Sequence, residues 1–322
     1  MSEVGFDGDW DGAGLSAWLD DDPSRLHARD AEGRGLVAAL AFAATGQQSI
    51  PLQPGPSGAE AALQVALDRG ADPDLAGPDG WTALHTAAMS GHLGLIRQLL
   101  RGGASPALTA HGNPDATPLC WALFYGHTEA GRALATAARV PDGLRTAAAL
   151  GDALDPWLRS DGALAPGAMG GRRFYRPSEG FPPCDPIMDR QTTLDESLTW
   201  AARNGQLGSM EALVRLGAEV NANPYRGTAL LWATYSARHE AMRWLVAHGA
   251  EPDLRHDFGG EGHGQGATAL HLAAQFGAHD TIRLLVSLGA SSAVRDRGYD
   301  GTPEEWAYHC DQPEAQALLA SL

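Results

Sequence analysis

The residues best suited to chemistry in this chain sit where its otherwise periodic pattern breaks. The first such place is Gly170-Gly-Arg-Arg-Phe-Tyr-Arg-Pro177, where arginines, Arg173 and Arg176 among them, flank Phe174 and Tyr175. Guanidinium forks bind anions bidentately and stack on planar rings, so this composition suits clamping an anion or a flat group. The second is Asp257-Phe-Gly-Gly-Glu-Gly-His-Gly-Gln-Gly266, a glycine-rich run carrying His263 and Gln265. Glycines there let backbone approach a ligand closely. Acid–base catalysis would draw on His263 with Tyr175 or with a carboxylate such as Asp257, Glu261 or Asp300. Each place has a plainer reading: a linker whose aromatics simply pack, and an exposed loop histidine.

Catalytic signatures are missing. The sequence has no G-x-S-x-G, no H-E-x-x-H, no Walker loop and no Cys–His pairing of known spacing. The glycine spacing from Gly260 to Gly266 is no dinucleotide fingerprint, because a Thr-capped helix follows it rather than a strand–helix–strand unit. All 23 basic residues are arginine, so Schiff-base chemistry through lysine is impossible. Cys120, Cys184 and Cys310 are odd in number and form no C-x-x-C, which argues against a disulfide framework or a zinc ribbon. No cofactor and no metal are therefore expected, and whether the chain is an enzyme stays open.

The formal charge of −16 disfavours general nucleic-acid binding, which needs excess cations on one face. It favours a partner that is basic or apolar along its contact strip. The longest apolar stretch, Leu36–Ala44, is too short to span a bilayer. The start, Met1–Asp11, is acidic and Gly-rich, unlike a secretory signal. A cytoplasmic protein without membrane contact is the expectation, and abundant Ala, Gly and Pro with arginine as the sole strong base suggest a high-GC bacterial source.

The elements that must position these residues repeat. Gly80-Trp-Thr-Ala-Leu-His-Thr-Ala-Ala-Met-Ser-Gly-His92, Ala267-Thr-Ala-Leu-His-Leu-Ala-Ala-Gln-Phe-Gly-Ala-His279 and Ala116-Thr-Pro-Leu-Cys-Trp-Ala-Leu-Phe-Tyr-Gly-His127 align by eye. Each leads into an apolar-periodic helix such as Leu95–Leu100 or Ile282–Val286. Gly-Ala endings recur at Gly70, Gly103, Gly217, Gly249 and Gly289, with 33 residues from Gly70 to Gly103 and 32 from Gly217 to Gly249. The threonine can cap a first helix, Ala pairs allow two short helices to pack closely, and the closing glycine supplies a left-handed cap.

This pattern resembles the ankyrin repeat, with its T-P-L-H-x-A-A signature and period near 33. The resemblance implies an all-α ankyrin-repeat solenoid of helix-turn-helix units with hairpin fingers, here interrupted by one irregular segment. We expect an N-terminal half-array at 1–164, a Pro/Gly/Arg-rich break at 165–190, and a C-terminal half-array at 191–322. The resemblance further implies a non-catalytic recognition module that binds a protein or peptide on its concave and finger face. A small-molecule pocket or unusual enzyme at 165–190 and 257–266 is the alternative. His85 and His271 occupy the signature histidine slot, and the resemblance implies that they bond neighbouring loops. Trp121, Trp200, Trp232 and Trp306 follow that slot, which reads as core filling or as an aromatic groove with Tyr235. The binding candidates are therefore Arg173, Phe174, Tyr175, Arg176, Tyr225, Arg226, Trp232, Tyr235, His263, Gln265 and Tyr299.

Overall fold

The computed structural model describes residues 11–45, 58–112, 115–138, 143–170, 189–257 and 264–322. The segments that follow the capping threonines become seven-residue helices because a threonine hydroxyl takes an orphan amide of the first turn. Thr117 Oγ1 accepts from Cys120 N at 3.3 Å, Thr228 from Leu231 N at 3.4 Å and Thr302 from Glu305 N at 3.3 Å. Proline at the first helical position of two of them, Pro118 and Pro303, lacks the amide that would otherwise go unpaired. The glycines that end the second helices are all left-handed, from Gly70 at φ +84° to Gly217 at φ +102°.

Contacts divide the chain into two compact units, Met1–Val140 and Pro141–Leu322. Residues 143–164, which the sequence grouped with the N-terminal half-array, are counted in the second unit. In the first unit, α1 (Gly12–Asp21) is followed by α2 (Leu36–Thr45), α3 (Gly58–Asp68), α4 (Ala83–Met89), α5 (Leu93–Arg101), α6 (Pro118–Phe124) and α7 (Thr128–Ala138). Helices α2, α4 and α6 stack as one layer; α1 packs on α3, and α5 on α7, in the other. Leu84, Leu95, Ile96 and Leu99 are wholly buried within this unit.

The second unit holds α8 (Leu144–Leu150), α9 (Arg190–Arg203), α10 (Leu207–Arg215), α11 (Ala229–Tyr235), α12 (His239–Ala247), α13 (Ala269–Gln275), α14 (His279–Ser287), α15 (Pro303–His309) and α16 (Pro313–Ala320). Helices α8, α9, α11, α13 and α15 form its first layer, while α10, α12, α14 and α16 form the second. The long finger between α12 and α13 begins and ends in a short antiparallel pair, β1 (His256–Asp257) with β2 (Gln265–Ala267). Among the described residues no helix is long and apolar enough to cross a membrane.

Two elements depart from the repeat. Helix α9 has 14 residues, twice the length of its counterparts. Its extra turns replace a finger: Arg190 Nη2 donates to Leu216 O at 2.8 Å and Gln191 Nε2 to Gly217 O at 2.9 Å, covering carbonyls at the end of α10. Helix α8, buried along its whole length, is followed by a 3-10 turn, Asp155–Trp157, and a Leu158–Leu164 bridge where a second-layer helix would stand.

Candidate functional site

Four of the sequence candidates come together at α11 and the finger before it. Arg226 adopts φ +62°, and the next residue must be small, since a β-carbon on Gly227 would lie 2.3 Å from Leu231 Cδ2. This tight turn sets the backbone carbonyl of Tyr225 against the indole of Trp232, whose Nε1 donates to it at 3.3 Å. Trp232 is only 6% exposed, and the Arg203 guanidinium lies 3.6 Å above its ring. Tyr235, one turn further, meets Trp232 edge-on at 5.9 Å and Phe276 edge-on at 5.8 Å. Arg226 is buried beside the Tyr225 ring at 5.8 Å, and burial pushes its pKa below the ordinary arginine value against the pull of Tyr225. The half-buried faces offered at this place are thus Tyr225, Tyr235 and Phe276, with Trp232 packed beneath them.

A second group surrounds the last finger. Gln265 O accepts from Arg297 N at 2.7 Å and from Gly298 N at 3.2 Å, tying β2 to that finger. Tyr299 projects from it, 63% exposed, next to Asp300 at φ +53°. Asp296 organises the turn, accepting at Oδ1 from Gly298 N and Tyr299 N, both at 2.7 Å, and at Oδ2 from Gly301 N and Trp306 Nε1. Burial alone would raise its pKa; these bonds bring it below the usual carboxylate value. In the preceding, longer finger the residue seven after the closing glycine is His256 rather than an aspartate, and its ring is buried. Arg173, Phe174, Tyr175, Arg176 and His263 lie outside the described residues. Asp300 is accordingly the one member of the His263, Asp300 and Tyr175 set whose place is described, close to Arg295 on the exposed finger.

Three residues central to this region carry no ordinary repeat signature. In regular repeats the slot histidine bridges to the next first-layer helix: His85 Nε2 lies 3.0 Å from Ala116 O, and His271 Nε2 lies 3.0 Å from Gly301 O. Each carbonyl belongs to the residue before a capping threonine. In α8 that slot is held by Arg145, and in α9 the capping position is held by Glu196. They meet as an ion pair, Nη1 to Oε1 at 3.1 Å, with side chains 2% and 1% exposed. The Arg145 guanidinium also lies 4.2 Å over Trp200, and Arg203 repeats the arrangement over Trp232. Aligning the slots position by position is the signal that reveals this exchange of a histidine–carbonyl bond for an arginine–glutamate pair.

In the first unit, rings also span neighbouring repeats. Trp81 meets Trp121 edge-on at 4.9 Å, and Trp121 stacks on Tyr125 at 6.1 Å, all three half-buried. Of the four tryptophans in one register, Trp200, Trp232 and Trp306 fill the interior, whereas Trp121 remains half-open. Among the described residues no three His, Cys, Asp or Glu side chains gather as a metal site would require.

Comparison with known proteins agrees with this architecture. Residues 56–142 and 184–256 match the family profile "Ankyrin repeats (3 copies)", and residues 230–286 match "Ankyrin repeats (many copies)". The chain belongs to the ankyrin-repeat family. It is 36% identical over 106 residues to "Ankyrin repeat domain-containing protein SAT10" of Stachybotrys chartarum, covering 32% of this chain and 5% of that protein. It is 45% identical over 67 residues to "Protein PhlB" of Serratia liquefaciens, covering 21% and 29% respectively. "Ankyrin repeat domain-containing protein 29" of Danio rerio shares 34% over 70 residues, or 21% and 24%. The chain thus spans less than a third of the length of each of these curated relatives.

Proposed function

We propose that this ankyrin-repeat chain is a non-catalytic recognition module that holds a protein or peptide partner across its fingers and first-layer helices. The observation that carries the proposal is the half-buried aromatic side chains on successive repeats: Tyr235 against Phe276 in the second unit, and Trp81, Trp121 and Tyr125 in the first. Rings that remain partly open after the core is full are the anchors on which recognition surfaces concentrate binding energy. Tyr225 and the exposed Tyr299 add polar-tipped rings from the fingers. With a chain charge of −16, the partner that fits is basic or apolar along the strip it presents, and association slows as salt screens the steering field.

The test is capture of partners by immobilised full-length chain beside its Tyr235→Ala/Phe276→Ala variant, followed by calorimetry with the protein retained. The expected result is a retained protein whose affinity falls at least about tenfold in the variant, the scale of a lost aromatic anchor. Equal affinity for both forms would remove these rings from the site, and retention of a small molecule without any protein would overturn the recognition reading.

A further inference from the structure

The second-layer helix α5 seats on α3 through three positions. On and around α5 they are His92, Gln98 and Gly102. His92 Nε2 lies 2.8 Å from Glu60 Oε1 of α3. Gln98 Nε2 donates to Glu60 O at 3.0 Å and to Gln64 Oε1 at 3.1 Å. Gly102 lies so close to α3 that a β-carbon there would be 2.8 Å from Leu67 Cδ1. Superposing the closing glycines, Gly103 on Gly217, puts Gln206, Ala212 and Leu216 in these positions on and around α10.

Among the described residues no second-layer helix stands on that side of α10, where the chain after α8 makes the 3-10 turn at Asp155–Trp157. An open cleft of about 490 Å³ lies there, and Gln206, Ala212 and Leu216 all line it. Leu154 and Leu158 complete an apolar floor. Volumes of this order, in the range of about 300–1,000 Å³, enclose ligands and anchoring side chains. Gln206 closes one end by reaching Gly151, where a β-carbon would lie 2.4 Å from its Oε1. The rim on the turn side carries two exposed carboxylates, Asp152 and Asp155, and among the described residues neither joins an ion pair. Of the arginines at the cleft among the described residues, Arg215 has Glu211 Oε1 at 3.4 Å from its Nη2, and Arg190 donates to the carbonyls of Gly162 and Leu216 at 3.1 and 2.8 Å.

We propose that this cleft is a second docking site, distinct from the finger face, which takes an amphipathic helix of a partner protein. The helix lies alongside α10 as α3 lies alongside α5, its apolar row on Leu154, Leu158, Ala212 and Leu216. Cationic side chains on its edge face Asp152 and Asp155. Charge selects this occupant: the rim carboxylates outside ion pairs, Asp152 and Asp155, favour cationic over acidic side chains, and a helix rather than an extended strand fits because α10 offers side-chain positions spaced to meet one.

A labelled peptide with the sequence of residues 92–103 of this chain is a suitable probe, since it is an outer helix with an apolar row (Leu95, Ile96, Leu99) and two arginines (Arg97, Arg101). Fluorescence anisotropy with the full chain is expected to show saturable binding. Reversal of the rim in Asp152→Arg/Asp155→Arg should weaken it about tenfold, and a peptide with Arg97→Glu and Arg101→Glu should bind comparably poorly. Ala212→Trp, which fills the cleft, should abolish binding; the exposed rim variants, with circular dichroism and Tm as controls, keep the test valid if that substitution disturbs the fold. No saturable binding, or binding indifferent to the rim and to Ala212→Trp, overturns the proposal. Binding lost only in Tyr235→Ala/Phe276→Ala assigns the peptide to the finger face and also overturns it, so the two sites fail separately.

Discussion

Among the described residues three histidine rings are buried: His85 and His271 at the third positions of α4 and α13, where their partners fix which nitrogen carries the proton, and His256 at the start of β1. His85 Nδ1 lies 3.2 Å from the Thr82 amide and accepts from it, so Nε2 bears the hydrogen donated to Ala116 O. His271 is arranged identically against Thr268 and Gly301. Burial, the largest cause in each case, lowers His85 and His256 from 6.5 to about 4, and lowers His271 as well. A depressed folded pKa means that the unfolded chain takes up protons first as acidity rises. The stability these rings confer is complete above about pH 6.5 and is lost progressively as pH falls toward 4. Thermal unfolding followed between pH 7.5 and 4.5 should therefore show Tm falling well above the carboxylate range. His85→Gln, which keeps a neutral hydrogen-bonding side chain, should flatten that fall, and an unchanged slope would assign it to other groups.

The Arg145–Glu196 pair belongs to the same scale but to opposite physics. Removing one partner leaves the other charge buried at 1–2% exposure without its counter-ion. Glu196→Ala is expected to lower the stability of the second unit by roughly 3–5 kcal/mol in urea titrations. Replacing both, as Arg145→Met/Glu196→Leu, should cost clearly less than the two single changes added together, because the desolvation of both charges disappears along with their attraction. Additive costs would mean that the pair is not coupled.

At the scale of elements, most of the repeat was legible because each signal has a local cause. Thr caps, Ala pairs and left-handed glycines act within one helix-turn-helix, and all three are where the sequence placed them. What was not legible depends on neighbours. Nothing within Arg190–Arg203 says that its first two turns will cover the carbonyls of Leu216 and Gly217. The loss of a helix after α8 had one local mark, Pro156, which stands where the second turn of that helix would run. Of the candidate site, the grouping of Tyr225, Arg226, Trp232 and Tyr235 was readable from the shared helix and finger. The buried side of it, Arg203 over Trp232 and Arg145 with Glu196, needed the slot-by-slot comparison. A pair of glycine substitutions tests the element-level account. Gly143 starts α8 against the 165–170 turn, and a β-carbon there would lie 2.9 Å from Ala168 O and 3.0 Å from Gly170 O. Gly143→Ala should cost about 1–3 kcal/mol by pushing that backbone away. Gly208, in the first turn of α10, has no such neighbour within 4 Å, and Gly208→Ala should leave stability unchanged or raise it by about 0.5 kcal/mol.

The molecule as a whole carries one stacked core in each compact unit rather than one centre. The buried cluster of the second unit runs from Leu144 to Leu319 through every first-layer helix there, and its helices pack chiefly on those of adjacent repeats. A lesion in such an array spreads by way of shared interfaces and fades with distance along the stack. Leu99 in the first unit and Leu245 in the second are both wholly buried, so truncating either leaves a cavity costing about 2–5 kcal/mol. Hydrogen exchange read by mass spectrometry should show Leu99→Ala lowering protection chiefly in α2–α7 and Leu245→Ala chiefly in α9–α14, since protection follows the local free energy of opening. Protection lost to the same extent across both units in either variant would mean that the chain unfolds as one cooperative body, and the division at residues 140 and 141 would then have no energetic counterpart.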